Sequence, residues 1–169
     1  SKVLFCAESG TRKCVVVVVA LLLALVLALV PLPAGSPEAL NFLRPDWVGL
    51  ALIYWAIAVP ERFGVLAAFC LGLVTDLVLS SAFGYHSLGY VILAALAAST
   101  YQQVRMLEIW QQATLVTVGL LIVVLIQYAA LTVILERQLS LLMFLKPLSS
   151  GLMWPWVFLL LRLCRRRYL

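Results

Sequence analysis

The stretch WVGLALIYWAIAV, Trp47 to Val59, decides how this chain folds. It runs thirteen residues between Asp46 and Pro60 with no charge. As an α-helix it extends only about 20 Å, short of the ~30 Å hydrocarbon core of a bilayer. Counting positive charge tests whether it crosses, because Lys and Arg accumulate on the cytoplasmic side of membrane proteins. If it spans together with five other apolar segments, Lys2, Arg12, Lys13, Arg62, Arg105, Arg162, Arg165, Arg166 and Arg167 share one side. Arg44, Arg137 and Lys146 take the other, nine against three. If it does not span, the division becomes five against seven. The rule therefore selects six spans with both termini cytoplasmic.

The other five segments lie at 15–30, 63–81, 87–104, 113–135 and 148–163. The first is a Val/Leu/Ala run that follows Arg12 and Lys13 and stops at Pro31 and Pro33. Its apolar core is long for a signal peptide and no A-x-A site follows, so the helix is expected to stay attached. Residues 139–145 are apolar but cut off by Lys146 and Pro147, which reads as a short interfacial piece. Trp47, Trp110 and Tyr168 fall near expected water boundaries, as interfacial aromatics do. The composition agrees: of 169 residues 65% are hydrophobic and 11% charged, with mean hydropathy +1.12. So few polar groups cannot coat a soluble globule. The expectation is a single transmembrane domain, 1–169: an all-α, polytopic membrane helix bundle of about six transmembrane helices. The net charge of +5 sits at the ends of apolar segments, a topology signal rather than a nucleic-acid patch. Cys6, Cys14, Cys70 and Cys164 form no CxxC pair, so neither disulfides nor zinc are expected.

Polar residues inside the spans are few. Asp76 is the only acid placed within one, so a carboxylate-pair mechanism lacks its second member. His86, flanked by Ser80, Ser81 and Ser87, invites a hydrolase reading, but no G-x-S-x-G elbow accompanies it and it reads as part of a polar turn outside the membrane. No Walker A loop, dinucleotide fingerprint or metal-spaced Cys/His cluster occurs, and no cofactor is implied. The third segment carries Gly64, Ala68, Gly72, Asp76 and Ser80 every four residues, a row of small or polar groups along one side of a helix. Close helix packing is the first reading of this row and a partner interface the second. Asp76 is expected to find donors in Thr75, Ser80 and Tyr90. Ala20, Ala24 and Ala28 make a similar row on the first segment. Before the second segment, Pro45 suits a helix start, Asp46 complements the helix dipole and Trp47 anchors at the interface, with Arg44 alongside. Pro60-Glu61-Arg62 reads as a tight turn, and Pro155 of Trp154-Pro155-Trp156 is expected to bend the last span.

Taken in order, Arg44-Pro45-Asp46-Trp47, Tyr54-Trp55, Ala58-Val59-Pro60-Glu61-Arg62, Gly72 with Asp76, Gly84, Trp110-Gln111-Gln112-Ala113, and Trp154-Pro155-Trp156 before a basic tail resemble the MreD family of bacterial rod shape-determining membrane proteins. The chain departs from the family pattern at Ser80 and Ser81, where a glycine is expected. The resemblance implies a non-enzymatic scaffold of the bacterial inner (cytoplasmic) membrane. It would bind MreC and help couple MreB filaments to RodA and the class B penicillin-binding transpeptidase that builds peptidoglycan. It also implies a fold similar to the substrate-binding subunits of energy-coupling-factor vitamin transporters. That relation keeps open the alternative of a vitamin-binding subunit, for which Arg44, Asp46, His86, Glu136 and Arg137 are outer-loop candidates. A flippase or lipid-handling enzyme finds no catalytic or substrate motif.

Overall fold

A computed structural model describes residues 2–30, 43–59, 64–81, 83–134 and 141–168. Among the described residues there are six α-helices: α1 Lys2–Leu29, α2 Trp47–Ala58, α3 Val65–Val78, α4 Tyr85–Met106, α5 Ile109–Ile134 and α6 Leu145–Tyr168, the last preceded by a 3₁₀ turn, Leu141–Phe144. No strand occurs among the described residues.

The short apolar stretch that decides the fold is the centre of the bundle. α2 packs against α1, α4 and α6, and every residue from Val48 to Ala56 is buried. A helix apolar on all sides is stable only when surrounded, which is how α2 is placed. Trp55, Leu50 and Leu52 have no accessible surface. α3 and α4 form an antiparallel hairpin in which Gly72 sets the distance. A Cβ on Gly72 would fall 2.6 Å from the Ser87 backbone nitrogen and 3.0 Å from the His86 carbonyl carbon, so the two backbones touch where only glycine fits. The chain reverses through Ser80 at φ 51° and Gly84 at φ 91°. The outside of the bundle is apolar, with Leu66, Met106, Trp156 and the Val/Leu faces of α1 exposed.

Two stretches, Ile109–Ala130 and Leu142–Arg167, are long and apolar enough to cross a membrane by themselves, while Val15–Leu29, Trp47–Ala58 and Val65–Val78 are shorter apolar helices. Several boundaries differ from the sequence expectation. α6 starts at Leu145 rather than 148 and takes Lys146 and Pro147 into its first turn, where a missing N–H costs no intrahelical bond. Of the piece expected at 139–145, Leu141–Phe144 form the 3₁₀ lead-in to α6, and 139–140 lie outside the described residues. α5 begins at Ile109 rather than 113, so Trp110 and Gln112 are helical. Glu108 caps it, its N–H donating to Gln111 Oε1 at 3.3 Å, half of a capping box. The helix α6 runs continuously through Pro155. Pro31, Pro33, Pro60-Glu61-Arg62, Glu136 and Arg137 lie outside the described residues.

Candidate functional site

Polar groups collect at the two ends of α2, in two cavities that draw on opposite ends of the antiparallel helices. The cavity at the α2 N-terminus has a volume of about 310 Å³ and is lined by Arg44, Asp46, Trp47, Tyr85, His86 and Gln127 among others. Asp46 caps α2, its carboxylate accepting from Gly49 N at 3.1 Å, and its own N–H donates to Ser150 Oγ of α6 at 2.9 Å. Tyr90 Oη of α4 donates to Asp46 Oδ1 at 3.3 Å. Arg44 closes the C-terminus of α1, donating to Ala28 O at 3.1 Å and to Val30 O. A guanidinium on orphan helix carbonyls satisfies acceptors that otherwise have no intrahelical donor. Arg44 and Asp46 thus tie α1, α2, α4 and α6 at one end, a network that the reading as helix punctuation covers only in part.

Behind this cavity Asp76 is 2% exposed and is the hub of the α3–α4 turn. Its carboxylate accepts from Ser81 Oγ at 2.7 Å, Gly84 N at 3.0 Å, His86 N at 2.9 Å and Ser87 Oγ at 3.2 Å. His86 Nδ1 lies 2.8 Å from Asp76 Oδ1. Buried acids need such complete pairing because lipid supplies no donor. The expected partners are replaced: Thr75 Oγ1 donates to Leu71 O of its own helix at 2.8 Å, Ser80 is exposed, and Tyr90 serves Asp46. His86 is also corrected, being buried in the first turn of α4 and not in a solvated loop. Ser81 Oγ lies 3.2 Å from Nδ1, the ring nitrogen that also faces Asp76. A nucleophilic relay needs serine and carboxylate on opposite ring nitrogens, so these three residues brace a turn.

Of the row on α3, Ala68, Gly72 and Asp76 are buried, whereas Gly64 and Ser80 are exposed and a Cβ on Gly64 meets nothing. A repeat of four residues on a helix of 3.6 per turn drifts about 40° per step. Both ends of the row therefore rotate out of the contact, and Ser80 lies beyond the helix end. Ala20, Ala24 and Ala28 pack, partly buried, against the core beside Leu21 and Leu25. Trp47 is half-buried at the cavity and Trp110 is 72% exposed.

At the opposite end, a cavity of about 500 Å³ lies between the α2 C-terminus, the α4–α5 turn and α6. Arg105 donates to Ile57 O at 2.8 Å and to Ala58 O at 3.1 Å, closing α2 as Arg44 closes α1. Gln112 Nε2 donates to Val104 O at 2.9 Å and Leu107 O at 3.1 Å, which fixes the turn between α4 and α5. Tyr54, Gln112 and Trp154 line this cavity. No group of three His, Cys, Asp or Glu side chains that could hold a metal occurs among the described residues.

The profile of rod shape-determining protein MreD matches residues 11–164. The chain belongs to the MreD family. It is 36% identical over 149 residues to the rod shape-determining protein MreD of Haemophilus influenzae, covering 86% of this chain and 87% of that one. No solved structure matches it. For this MreD-family chain, six of the residues that carry the resemblance line the two cavities, Arg44, Asp46 and Trp47 at one end of α2 and Tyr54, Gln112 and Trp154 at the other.

Proposed function

We propose that this chain is a non-enzymatic scaffold of the rod-shape machinery. In this reading it sits in the inner membrane as six spans with both termini cytoplasmic and binds MreC. Through MreC it couples MreB filaments to RodA and the class B penicillin-binding transpeptidase. The observation that carries the reading is the MreD family match along 11–164. The Asp76 cluster supports it, since its polar groups are consumed in bracing a turn. The short α2 is compatible with a span because polar cavities and the arginine caps reach its two ends from either side of the bundle.

Depletion of the protein in its own host is expected to turn rods into spheres, scored by microscopy; unaltered rods after complete depletion contradict the reading. Orientation has its own test. Reporters fused after residue 169 or within 61–63 are expected to read cytoplasm, and one within 38–41 the outside. Neutralising Arg165, Arg166 and Arg167 should weaken this orientation without abolishing insertion, because six positive charges still oppose three. A C-terminal reporter that reads outside ends the six-span topology.

A further inference from the structure

Three helices whose outer faces are apolar, α1, α3 and α6, share one dimension. α3 packs on α4 and turns Leu66, Phe69, Val74 and Leu77 outward. Its fourteen residues rise about 21 Å. Both ends are fixed, because Gly64 is already extended at ψ 175° and the chain leaves the helix before Ser80, at φ 51°. Backbone outside a helix is not tolerated against hydrocarbon, so these ends mark the membrane boundary on that side. α1 has a similar reach: from Lys13 to its last residue, Leu29, it rises about 24 Å, and the Arg44 guanidinium sits on the carbonyls that end it. On α6, Lys146 and Arg162 lie sixteen residues apart, again about 24 Å, with Leu152, Trp156 and Leu160 facing outward between them. α4 is longer but exposes Ser99, Gln102, Gln103 and Arg105 in its last two turns.

An ordinary hydrocarbon core exceeds these heights by roughly 6 to 9 Å. A helix longer than the core, such as the 26-residue α5, adapts by tilting, whereas a shorter one cannot stretch and passes the mismatch to the lipid. Tilt only lowers it further. Lysine and arginine recover part of the difference by reaching outward along their stems, which serves α6. α3 ends on Gly64 and Ser80 and has no such reach. We propose that the outer faces of α1, α3 and α6 take a thinned lipid annulus, and that phospholipids with short acyl chains are the neighbours they fit. The proposal rests on the six-span reading and asks nothing of MreC.

The test uses the full chain, reconstituted into phosphatidylcholine vesicles whose monounsaturated chains carry fourteen, sixteen, eighteen, twenty or twenty-two carbons, each with a brominated counterpart that quenches tryptophan on contact. Trp156, exposed on α6 between Lys146 and Arg162, is the reporter, and Trp110→Phe removes the other strongly exposed tryptophan. Competition between brominated and plain lipids of different length gives their relative affinities for the protein surface. Fourteen- or sixteen-carbon chains are expected to bind best, at least threefold better than twenty-two-carbon chains. Lys146→Leu with Arg162→Leu removes both charged boundaries of α6 and should move the preference at Trp156 to longer chains. Should that pair insert poorly, the profile of the chain without it decides. A preference for eighteen carbons or more, or no dependence on length, overturns the proposal. Absence of quenching in every lipid overturns it too, since a second copy then covers this face. With the reporter at 61–63 reading cytoplasm, those outcomes count against the annulus alone; that reporter reading outside ends the six-span reading instead.

Discussion

Replacing Asp76 by leucine is expected to destabilise the bundle by about 3 to 5 kcal/mol, the range for breaking a buried carboxylate's hydrogen-bonded pairing. The carboxylate gathers Ser81 Oγ, Gly84 N, His86 N, His86 Nδ1 and Ser87 Oγ. Leucine leaves all of these without that acceptor, at a site where Asp76, His86 and Ser87 are buried. The α3–α4 turn, with its left-handed residues Ser80 and Gly84, then loses what holds it. Asp76→Asn keeps the shape and one acceptor oxygen, so it should lose markedly less. Size-exclusion profiles of a fluorescent fusion after heating read the difference, with the expected order wild type, Asn, Leu. A leucine variant as heat-stable as wild type would show that the turn does not depend on its carboxylate.

Gly72→Leu is expected to be at least as damaging, for a steric reason. The Cβ alone collides with backbone atoms of Ser87 and His86, and backbone cannot swing aside as a flexible side chain can. Even Gly72→Ala should cost about 1 to 3 kcal/mol, the range for overpacking a close contact. The leucine variant should insert but elute as aggregate. Gly64→Ala is the control, since its Cβ meets open space, and it should match wild type. Equal stability of Gly72→Ala and Gly64→Ala would mean that the α3–α4 backbones do not touch in the native protein.

These residues also mark where sequence reasoning reaches its limit. The stretch at 47–59 is legible as a helix because it is apolar on every side, and total burial of its middle follows from that. Gly72 and Asp76 are legible as close neighbours along one face because helical spacing is local information. The donors around Asp76 are not. All five groups come from within the turn or beyond it, brought back by positive-φ residues that no periodicity encodes, and the same reversal moves His86 from solvent to interior. Helix starts at Ile109 and Leu145 are missed because interfacial tryptophan and proline resemble boundaries when they are first-turn residues. The second cavity is the least legible feature. Tyr54, Gln112 and Trp154 come from α2, α5 and α6, and their unpaired atoms become visible only when three helices are placed together.

The proposed role, holding MreC within the rod-shape machinery, is read by co-purification. The tagged full-length chain, expressed in its own host at native level and extracted in mild detergent, is captured, and MreC is quantified against the inserted protein. The account predicts MreC enriched well above an unrelated six-span control. It also predicts the same ratio for Gly64→Ala as for wild type, since that change leaves the packing intact. MreC at the level of the unrelated control, from a wild-type chain that is inserted and monodisperse, would contradict it.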